Sequence, residues 1–449
     1  MKMNKIYLII LMFLSFCFTN VTSDYLVFNK SINDHHSIGF NPSYIDYSSD
    51  SSKFKISFNT TAHLSNNSIS LDWINNSLLS GMNLENDQDK LDFLSIFEGQ
   101  DISVSSFAQM QFGFNYKDYS LLLSPQSFGT ILLPYSIIDL LFYGLDFDKN
   151  ISFDKEKTQF QAVFPITFSH SRNLDQYLTK FNLPLKNIRA GLGAKLLLGL
   201  SLFETNFNNS VINSEQDFIQ IKGDIKTTYN LFGSRMIVDE NDYGNSEFEL
   251  GSDYGFSGMG FAFDFGLSAD YSENINFGLS LNNILGQVGW SSSLTYEYNM
   301  SYDLNISSSD FEEIAEYDDV QKDSLISSII TYESNQSISG TKSTAYPSYI
   351  LANGNYKIKD FVISSYLLVP FNDTYYKNIQ FSIGASYNKF KKVPLYFQLI
   401  FDGSDHIKWF IGLDLNFKKY ELKVGFSQQD GFLNSAKGIE FGFSHMVKF

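Results

Sequence analysis

One acidic run has the residue types that bind calcium. Asp146, Asp148 and Asn150 occupy alternate positions, as the first ligands of an EF-hand loop do. That loop needs a glycine at its sixth position and a bidentate glutamate at its twelfth. Here these positions are Ile151 and Lys157, so the sequence excludes an EF-hand and leaves open only a loose cation contact.

The histidines offer two further kinds of chemistry. His35 and His36 form the single His-His pair of the chain, but no carboxylate near them has the spacing of a metal site. Some membrane-barrel lipases place Ser and His on the lipid-facing surface, and His445 has that facing. No serine of its strand shares that facing, so an interfacial side chain is the favoured reading. Gly-x-Ser-x-Gly, phosphate-loop and His-Glu-x-x-His motifs are absent. We predict no metal, no cofactor and no enzyme activity.

Four charged residues are better candidates for a functional role, because of the side of the strand on which they lie. Arg189, Lys195, Asp264 and Asp270 lie on alternating segments, at positions that face away from the apolar side. Inside a membrane protein, such charges pair with one another or line a pathway. Structural ion pairs and a selective pathway both stay open at this point.

The element that positions such residues is clearest at the end of the sequence. Successive side chains of a strand point to opposite sides. One side of the segment from 439 to 449 is apolar except at His445: Ile439, Phe441, Phe443, His445, Val447 and Phe449. The other side is mostly small or polar: Glu440, Gly442, Ser444, Met446 and Lys448. We predict a strand that closes a membrane barrel, with Phe441, Phe443 and Phe449 on its lipid side.

The same alternation recurs along most of the chain. Alternating segments are 112–116, 188–196, 261–271, 275–281, 379–387, 395–401, 407–417 and 420–426. A soluble β-sandwich also alternates, but its strands are usually about five or six residues long and a second sheet covers its apolar face. Longer Phe-rich faces opposite Gly, Ser and Asn favour a barrel with lipid outside and a polar lumen. The sequence contains between 14 and 16 candidate strands, and we predict about 14. In 223–250 and 286–306 the alternation does not show which side chains face lipid and which face the lumen.

Some segments have partly helical spacing. These are 76–97, 134–144 and 311–332; the second begins with Pro134 and stops at Gly144. They either cap the barrel or form outer loops.

Export is indicated at the N-terminus. Lys2 and Lys5 precede an apolar run from Ile6 to Phe18, which is shorter than the roughly 20 residues that span a bilayer. We predict a signal peptide at 1–23. A lipid anchor at Cys17, the single cysteine, is an alternative that the preceding Phe16 disfavours.

Composition agrees with a membrane barrel. The 44 Phe and 27 Tyr help raise the aromatic fraction to 16%, and barrels use aromatic residues on lipid-facing strands and at both interfaces. The net charge of -17 argues against a nucleic-acid partner, which requires a basic face.

Several motifs, in order, resemble one family. They are Asn41-Pro42-Ser43, the segment LPYSIIDLLFYG from Leu133, the glycine-spaced IRAGLGAKLLLGL from Ile188, the stretch 258–290, and Asp323-Ser324-Leu325 with the later Tyr346-Pro347. Together they resemble FadL-like outer-membrane proteins of the Bacteroidetes type, mostly uncharacterised. The family usually has Ala where Ser43 stands, and a Met-Gly-Gly run that is absent here. The resemblance implies that the N-terminal segment folds into the barrel as a hatch, past which hydrophobic ligands move.

These observations combine into one prediction. The chain is an all-β, transmembrane antiparallel β-barrel of about 14 strands, with a signal peptide at 1–23, a hatch-like segment at 24–52 and the barrel at 53–449. The resemblance implies passive transport of a small hydrophobic molecule across the Gram-negative outer membrane. The alternative is a non-transporting envelope scaffold or secretion-system accessory. Expected partners are outer-membrane lipid, the barrel-insertion machinery and the hydrophobic ligand.

Overall fold

The alternating segments form the strands of a closed antiparallel barrel in the computed structural model. The structure describes residues 38–45, 54–79, 87–97, 99–143, 149–152, 157–215, 218–231, 235–238, 246–249, 255–291, 295–307, 321, 330–335, 342–372, 378–390, 392–403 and 406–449. Outside these residues lie the predicted signal peptide with Cys17, the His35-His36 pair, Asp146 and Asp148. Most of the predicted hatch-like segment and of 311–332 lies outside them as well.

The strands follow in chain order. They are β1 Phe54–Asn66, β2 Ile102–Tyr116, β3 Tyr119–Leu123, β4 Gln126–Leu133, β5 Lys149–Ser152, β6 Lys157–Asn173, β7 Lys186–Ser214, β8 Phe218–Leu231, β9 Arg235–Val238, β10 Ser246–Glu249 and β11 Gly258–Ser272. The second half contains β12 Ile275–Trp290, β13 Tyr296–Ser307, β14 Ile330–Asn335, β15 Lys342–Ala345, β16 Tyr349–Ile358, β17 Phe361–Pro370, β18 Gln380–Tyr387, β19 Leu395–Asp402, β20 His406–Asn416, β21 Tyr420–Gln429 and β22 Gly438–Lys448.

In the described part of the chain, the barrel wall has 14 strand positions, which confirms the predicted strand number. We call each position a stave. Two staves are interrupted, since β3 and β4 share one and β15 and β16 share another. In order round the wall the staves are β1, β2, β3–β4, β6, β7, β11, β12, β15–β16, β17, β18, β19, β20, β21 and β22. β22 pairs with β1 and closes the cylinder.

The regions 223–250 and 286–306, whose alternation was unclear in the sequence, contain strands that lie outside this wall. β8 pairs with the far half of the long strand β7, β13 pairs with β8, and β14 pairs with β13. These strands therefore extend the same sheet beyond the barrel wall at one end, which explains why their side chains do not follow the lipid–lumen alternation.

The wall separates an apolar outer face from a polar inner face. In β22, Phe441 and Phe443 are exposed on the outside, whereas Glu440 and Ser444 are buried inside. Phe441 lies opposite Ala62 of β1, so the terminal strand closes the barrel at this seam. Phe449 is exposed beside the strand, and its ring centroid lies 5.8 Å from that of Phe54.

The two barrel ends differ in their connections. Short turns, such as Lys117-Asp118 and Lys359-Asp360, lie at the end where β1 begins, which we name the short-turn end. Apart from the connection 174–185 between β6 and β7, the longer connections lie at the opposite, loop end, in agreement with membrane barrels.

Helices lie in the connections and at the hatch motif. They are α1 Leu71–Trp73, continued by a π-helical turn Ile74–Leu78, then α2 Asp87–Ser95, α3 Tyr135–Tyr143 and α4 Asp175–Leu178, with 3-10 turns Pro42–Tyr44, Thr179–Phe181 and Leu433–Ser435. The helix predicted at 134–144 is thus confirmed. None of the helices in the described part of the chain is long and apolar enough to cross a bilayer.

Candidate luminal site

The described part of the predicted hatch-like segment, Ile38–Ile45, lies inside the barrel. We name it the hatch segment. Ile38 and Ile45 pack on Leu122 of β3, and Gly39 lies beside Gln111 of β2. Contacts of the following residues continue round the wall from β6 to β20. The hatch segment therefore crosses the lumen from one side to the other.

Its shape follows from the motif Asn41-Pro42-Ser43. The Asn41 side chain caps a 3-10 turn by accepting a hydrogen bond from the Ser43 backbone N–H at 3.0 Å. Pro42 suits the first position of such a turn, because its fixed φ is already helical and no N–H is lost. Asn is among the best capping residues. The motif therefore folds locally into a tight, buried turn.

Three wall glycines make room for this turn. A Cβ at Gly191 of β7 would lie 2.3 Å from the Pro42 carbonyl carbon and 2.3 Å from the Ser43 nitrogen. A Cβ at Gly266 of β11 would lie 2.0 Å from Asn41 Oδ1, and one at Gly278 of β12 would lie 2.0 Å from the Tyr44 hydroxyl. We name Gly191, Gly266 and Gly278 the glycine seat. It lets the turn lie directly on the wall backbone.

Hydrogen bonds fix the turn on this seat. Asn41 Nδ2 donates to the backbone carbonyls of Leu267 at 3.2 Å and Leu279 at 3.4 Å. The hydroxyls of Ser43 and Ser268 lie 2.9 Å apart. On the opposite side of the turn, the Ser171 hydroxyl of β6 donates to the Ser43 carbonyl at 3.2 Å. The predicted hatch motif thus bonds to three neighbouring parts of the wall.

Tyr44 extends the attachment to the next stave. Its hydroxyl donates to Asn353 Oδ1 of β16 at 2.7 Å. Burial raises the pKa of the Tyr44 phenol well above its usual range, and the hydrogen bond with Asn353 offsets only part of this effect. Tyr44 therefore stays neutral at physiological pH.

Phe40 covers an apolar patch on the other side of the lumen. The patch consists of inward-facing side chains from β16, β17, β19 and β20: Tyr349, Leu351, Tyr366, Leu368, Ile400 and Phe410. We name it the Phe40 patch. Barrel lumens are ordinarily polar, so an apolar patch of this size inside one suits contact with an apolar group. In this structure the Phe40 ring supplies that group.

The predicted luminal charges Lys195 and Asp264 form one buried ion pair. Lys195 Nζ lies 2.8 Å from Asp264 Oδ2. The pair also holds Asn283, since Asp264 Oδ1 accepts from the Asn283 backbone N–H at 2.8 Å and Lys195 donates to its side-chain carbonyl. Asn283 has a φ of 56°, a left-handed conformation that Asn tolerates better than most residues. The charges therefore stabilise a bulge in β12.

This bulge lies at the interruption of the neighbouring stave. β12 pairs with β16 as far as Asn282 and with β15 from Gln287 onward, so the ladder is broken between them. Side chains replace part of the lost bonding: Asn283 Nδ2 donates to the Pro347 carbonyl at 2.6 Å, and the Ser348 hydroxyl donates to the Asn283 carbonyl at 2.6 Å.

The other two predicted luminal charges lie near the short-turn end. Arg189 is buried, and its guanidinium lies 3.2 Å from Asp118 Oδ1. Asp270 is only half-buried and accepts from Asn187 Nδ2 at 3.0 Å. The four residues therefore form no single cluster.

Two observations concern the candidate metal and catalytic residues. Across the described ranges, no three His, Cys, Asp or Glu side chains come together as a metal site. His445 lies on the outer face among aromatic rings, with Phe58 at 5.7 Å between ring centroids. Its predicted role as an interfacial side chain stays a prediction.

Sequence reasoning missed Phe40 and Tyr44, although both flank the motif in GFNPSYID. The sequence feature that could have indicated them is an aromatic residue on each side of a capping turn. The rings contact residues more than two hundred positions away in the chain, so the local pattern did not reveal these contacts.

The chain matches the model of a family of unknown function, DUF5723, over residues 48–426. It belongs to that family. No curated protein matches it in sequence.

Similar solved structures include a FadL homologue, a toluene transporter and a hydrocarbon channel. A Pseudomonas aeruginosa FadL homologue has a TM-score of 0.47 and 9% identity, covering 96% of this chain and 98% of its own. The P. putida toluene transporter TodX has a TM-score of 0.41 and 9% identity, with 93% and 94% covered. The CymD monoaromatic hydrocarbon channel has a TM-score of 0.43 and 8% identity, with 93% of each chain covered. One of these similar structures is a FadL homologue, the kind of protein that the sequence motifs resemble.

Proposed function

We propose that this DUF5723 protein is an outer-membrane barrel through which a small hydrophobic molecule passes passively, and that the hatch segment controls the passage. The observation that carries the proposal is the placement of Ile38–Ile45. It crosses the lumen, rests on the glycine seat and covers an apolar patch with Phe40.

The nature of the contacts supports a movable closure. The hatch segment is held by a few hydrogen bonds and two apolar contacts, whereas the wall is held by continuous backbone ladders. Backbone bonds in a membrane barrel have no water to replace them and are costly to break. The hatch bonds lie in the lumen, where water can take them over. The segment can therefore leave its seat while the wall stays closed.

The Phe40 patch supports a hydrophobic ligand. When Phe40 leaves, six apolar or aromatic side chains from four strands lose their cover. Exposing such a surface to water is unfavourable by about 25 cal/mol per Å². A small apolar molecule in the lumen would restore the lost contact, so the patch favours hydrophobic over polar solutes.

The outer surface supports the membrane location. Exposed Phe and Leu side chains cover the outer face of strands such as β11, including Phe261, Phe263, Phe265 and Leu267. Lipid is therefore the proposed partner of this face. The barrel-insertion machinery and the predicted signal peptide belong to the same proposal.

A second candidate is an envelope scaffold or secretion-system accessory that transports nothing. It is favoured by bonds that cross the lumen away from the hatch segment. In one of them, the Thr344 hydroxyl of β15 donates to Gln161 Oε1 of β6 at 2.9 Å, although these strands are not wall neighbours. A permanently filled lumen suits a structural role.

Deletion of the gene separates the two. Cells with and without the protein are compared for uptake of a panel of small hydrophobic compounds, with a matched set of hydrophilic solutes as control. Transport predicts slower uptake of at least one hydrophobic compound in the deletion strain and recovery on complementation. Unchanged uptake across the whole panel would leave the scaffold as the better account.

A further inference from the structure

The lumen has two chemically different halves: one holds a large apolar core beside the buried Lys195–Asp264 pair, and the other is lined mainly by ionisable side chains. One half contains a second apolar core, distinct from the Phe40 patch. Its buried members come from β2, β4, β6, β7, β11, β12 and the break between β15 and β16: Phe107, Phe128, Val163, Leu197, Leu202, Ala262, Val288, Trp290 and Tyr346. We name it the luminal core. The inward-facing side chains of seven consecutive staves therefore pack against one another in this core.

Hydrogen bonds between strands seal this half, and two of those described next join staves that are not neighbours in the wall. The Trp290 indole N–H donates to the Thr344 hydroxyl at 2.8 Å, and that hydroxyl donates to Gln161 Oε1 at 2.9 Å. Gln126 of β4 donates to the Tyr346 hydroxyl, which draws the β15–β16 stave towards β4. These bonds hold β15 close to β6 across the lumen, so the barrel is narrowed at this point.

The other half is lined by buried ionisable side chains. On β1, β20, β21 and β22 these are Lys55, His63, Lys408, Asp414, Lys423 and Glu440. Lys423 Nζ lies 3.6 Å from Asp414 Oδ2, as an ion pair, and His63 Nδ1 lies 3.7 Å from Glu440 Oε2. We name these six residues the charged lining.

The two halves respond differently to water. Charged groups are costly to hold away from water, so the charged lining gains solvation whenever water enters. An apolar core resists water, and even an empty apolar cavity stays dry. Release of the hatch segment should therefore hydrate the half with the charged lining and leave the luminal core closed.

We propose that the passage is confined to the half of the barrel bounded by the charged lining and the Phe40 patch, and that the half filled by the luminal core never opens. This deepens the proposed function, because it names the route and places charged groups along it. A permeating molecule would then meet aromatic side chains on one side and charges on the other.

Cysteine labelling tests the route without any ligand. Single cysteines are placed at Ser444→Cys, in the proposed route, and at Ala262→Cys, in the luminal core, in a Cys17→Ser chain. Both positions are fully buried with the hatch segment in place, at 0% exposure. A cationic methanethiosulfonate reagent is applied, and the labelling rate is followed by mass spectrometry. Gly191→Ala releases the hatch segment by placing a Cβ against its backbone.

The proposal predicts that Gly191→Ala speeds labelling at Ser444→Cys by about tenfold or more and leaves Ala262→Cys unchanged. Ser382→Cys and Val163→Cys repeat the comparison if either variant fails to fold. Equal acceleration in both halves would overturn the proposal. So would continued protection at Ser444→Cys when hydrogen exchange shows that the hatch segment has been released. Because no transported molecule is involved, failure of the uptake experiment leaves this result interpretable.

Discussion

The glycine seat makes one prediction that can be worked out in numbers. In Gly191→Ala, the new Cβ would lie 2.3 Å from two backbone atoms of the Pro42–Ser43 turn, closer than real Cβ contacts come. Backbone atoms cannot move aside as a flexible side chain does, so the turn must leave the wall. Alanine is also better than glycine in a strand interior, by roughly 0.5–1 kcal/mol for the backbone alone. The wall should therefore stay intact.

The cost falls on the hatch segment. Moving the turn away from β11 and β12 removes the two Asn41 bonds to wall carbonyls and the contact between the Ser43 and Ser268 hydroxyls. At about 1 kcal/mol for each, the loss is about 3 kcal/mol. Because 1.4 kcal/mol is a factor of ten, the ratio of seated to released hatch segment should fall about 100-fold.

Hydrogen–deuterium exchange measures that ratio directly. The amides of Ile38–Ile45 should exchange about 100-fold faster in Gly191→Ala than in the parent protein, while wall strands keep their protection. The matched control is Gly354→Ala on β16, where a Cβ would meet nothing closer than the Asn276 carbonyl oxygen at 3.8 Å. Unchanged exchange of the hatch segment in Gly191→Ala, with the barrel folded, would refute the seat as the element that holds it.

Further predictions concern the wall and the charges. Lys195→Met leaves Asp264 buried without its partner and should destabilise the barrel by about 3–5 kcal/mol; the double variant with Asp264→Leu should recover much of this, as read from heat-modifiable gel migration. Phe443→Lys puts a charge on the lipid face and should cost about 2–4 kcal/mol, whereas Phe449→Lys at the strand end should cost roughly 0–1 kcal/mol; equal costs would contradict the assigned depth. The raised pKa of Tyr44 means that its neutral form favours the seated state, so this contribution is complete below pH about 10 and is lost as pH rises further. A fall in the protection factors of the hatch-segment amides above that pH, relative to their intrinsic exchange rates and absent in Tyr44→Phe, checks this sign.

Much of the wall was predictable because a strand has a period of two. Alternation identified which side of β22 faces lipid, and the same division holds in β18 to β21. It also indicated that Lys195 and Asp264 face inward, because only their side of each strand carries small and polar residues.

Contacts across the lumen were not predictable in this way. The period says that Gly191 and Gly266 face the lumen but does not say that Pro42 and Asn41 rest on them. Such contacts depend on the closure of the whole barrel, which brings together residues far apart in the chain. The same holds for Gln161 and Thr344, whose strands are separated by three staves.

The strands that extend the sheet beyond the barrel wall show a further limit of prediction from sequence. β7 runs from Lys186 to Ser214, far longer than the roughly 10 residues needed to cross a membrane. Its first half pairs with β11 and its second half with β8. Alternation continues through both halves, so the local pattern does not mark where the membrane wall ends.

The most direct test of the account is a reversible lock on the hatch segment. Ser43→Cys with Ser268→Cys replaces two hydroxyls that lie 2.9 Å apart, in a Cys17→Ser chain. The control lock, Thr205→Cys with Thr227→Cys, joins β7 to β8 outside the membrane wall, where the hydroxyls lie 3.1 Å apart.

Uptake of the hydrophobic compound that the deletion experiment identifies is measured in the same cells, before and after addition of a reductant. The account predicts that the hatch lock blocks uptake, that the reductant restores it, and that the control lock has no effect. Equal uptake with the hatch lock closed and reduced would contradict the claim that the hatch segment controls the passage.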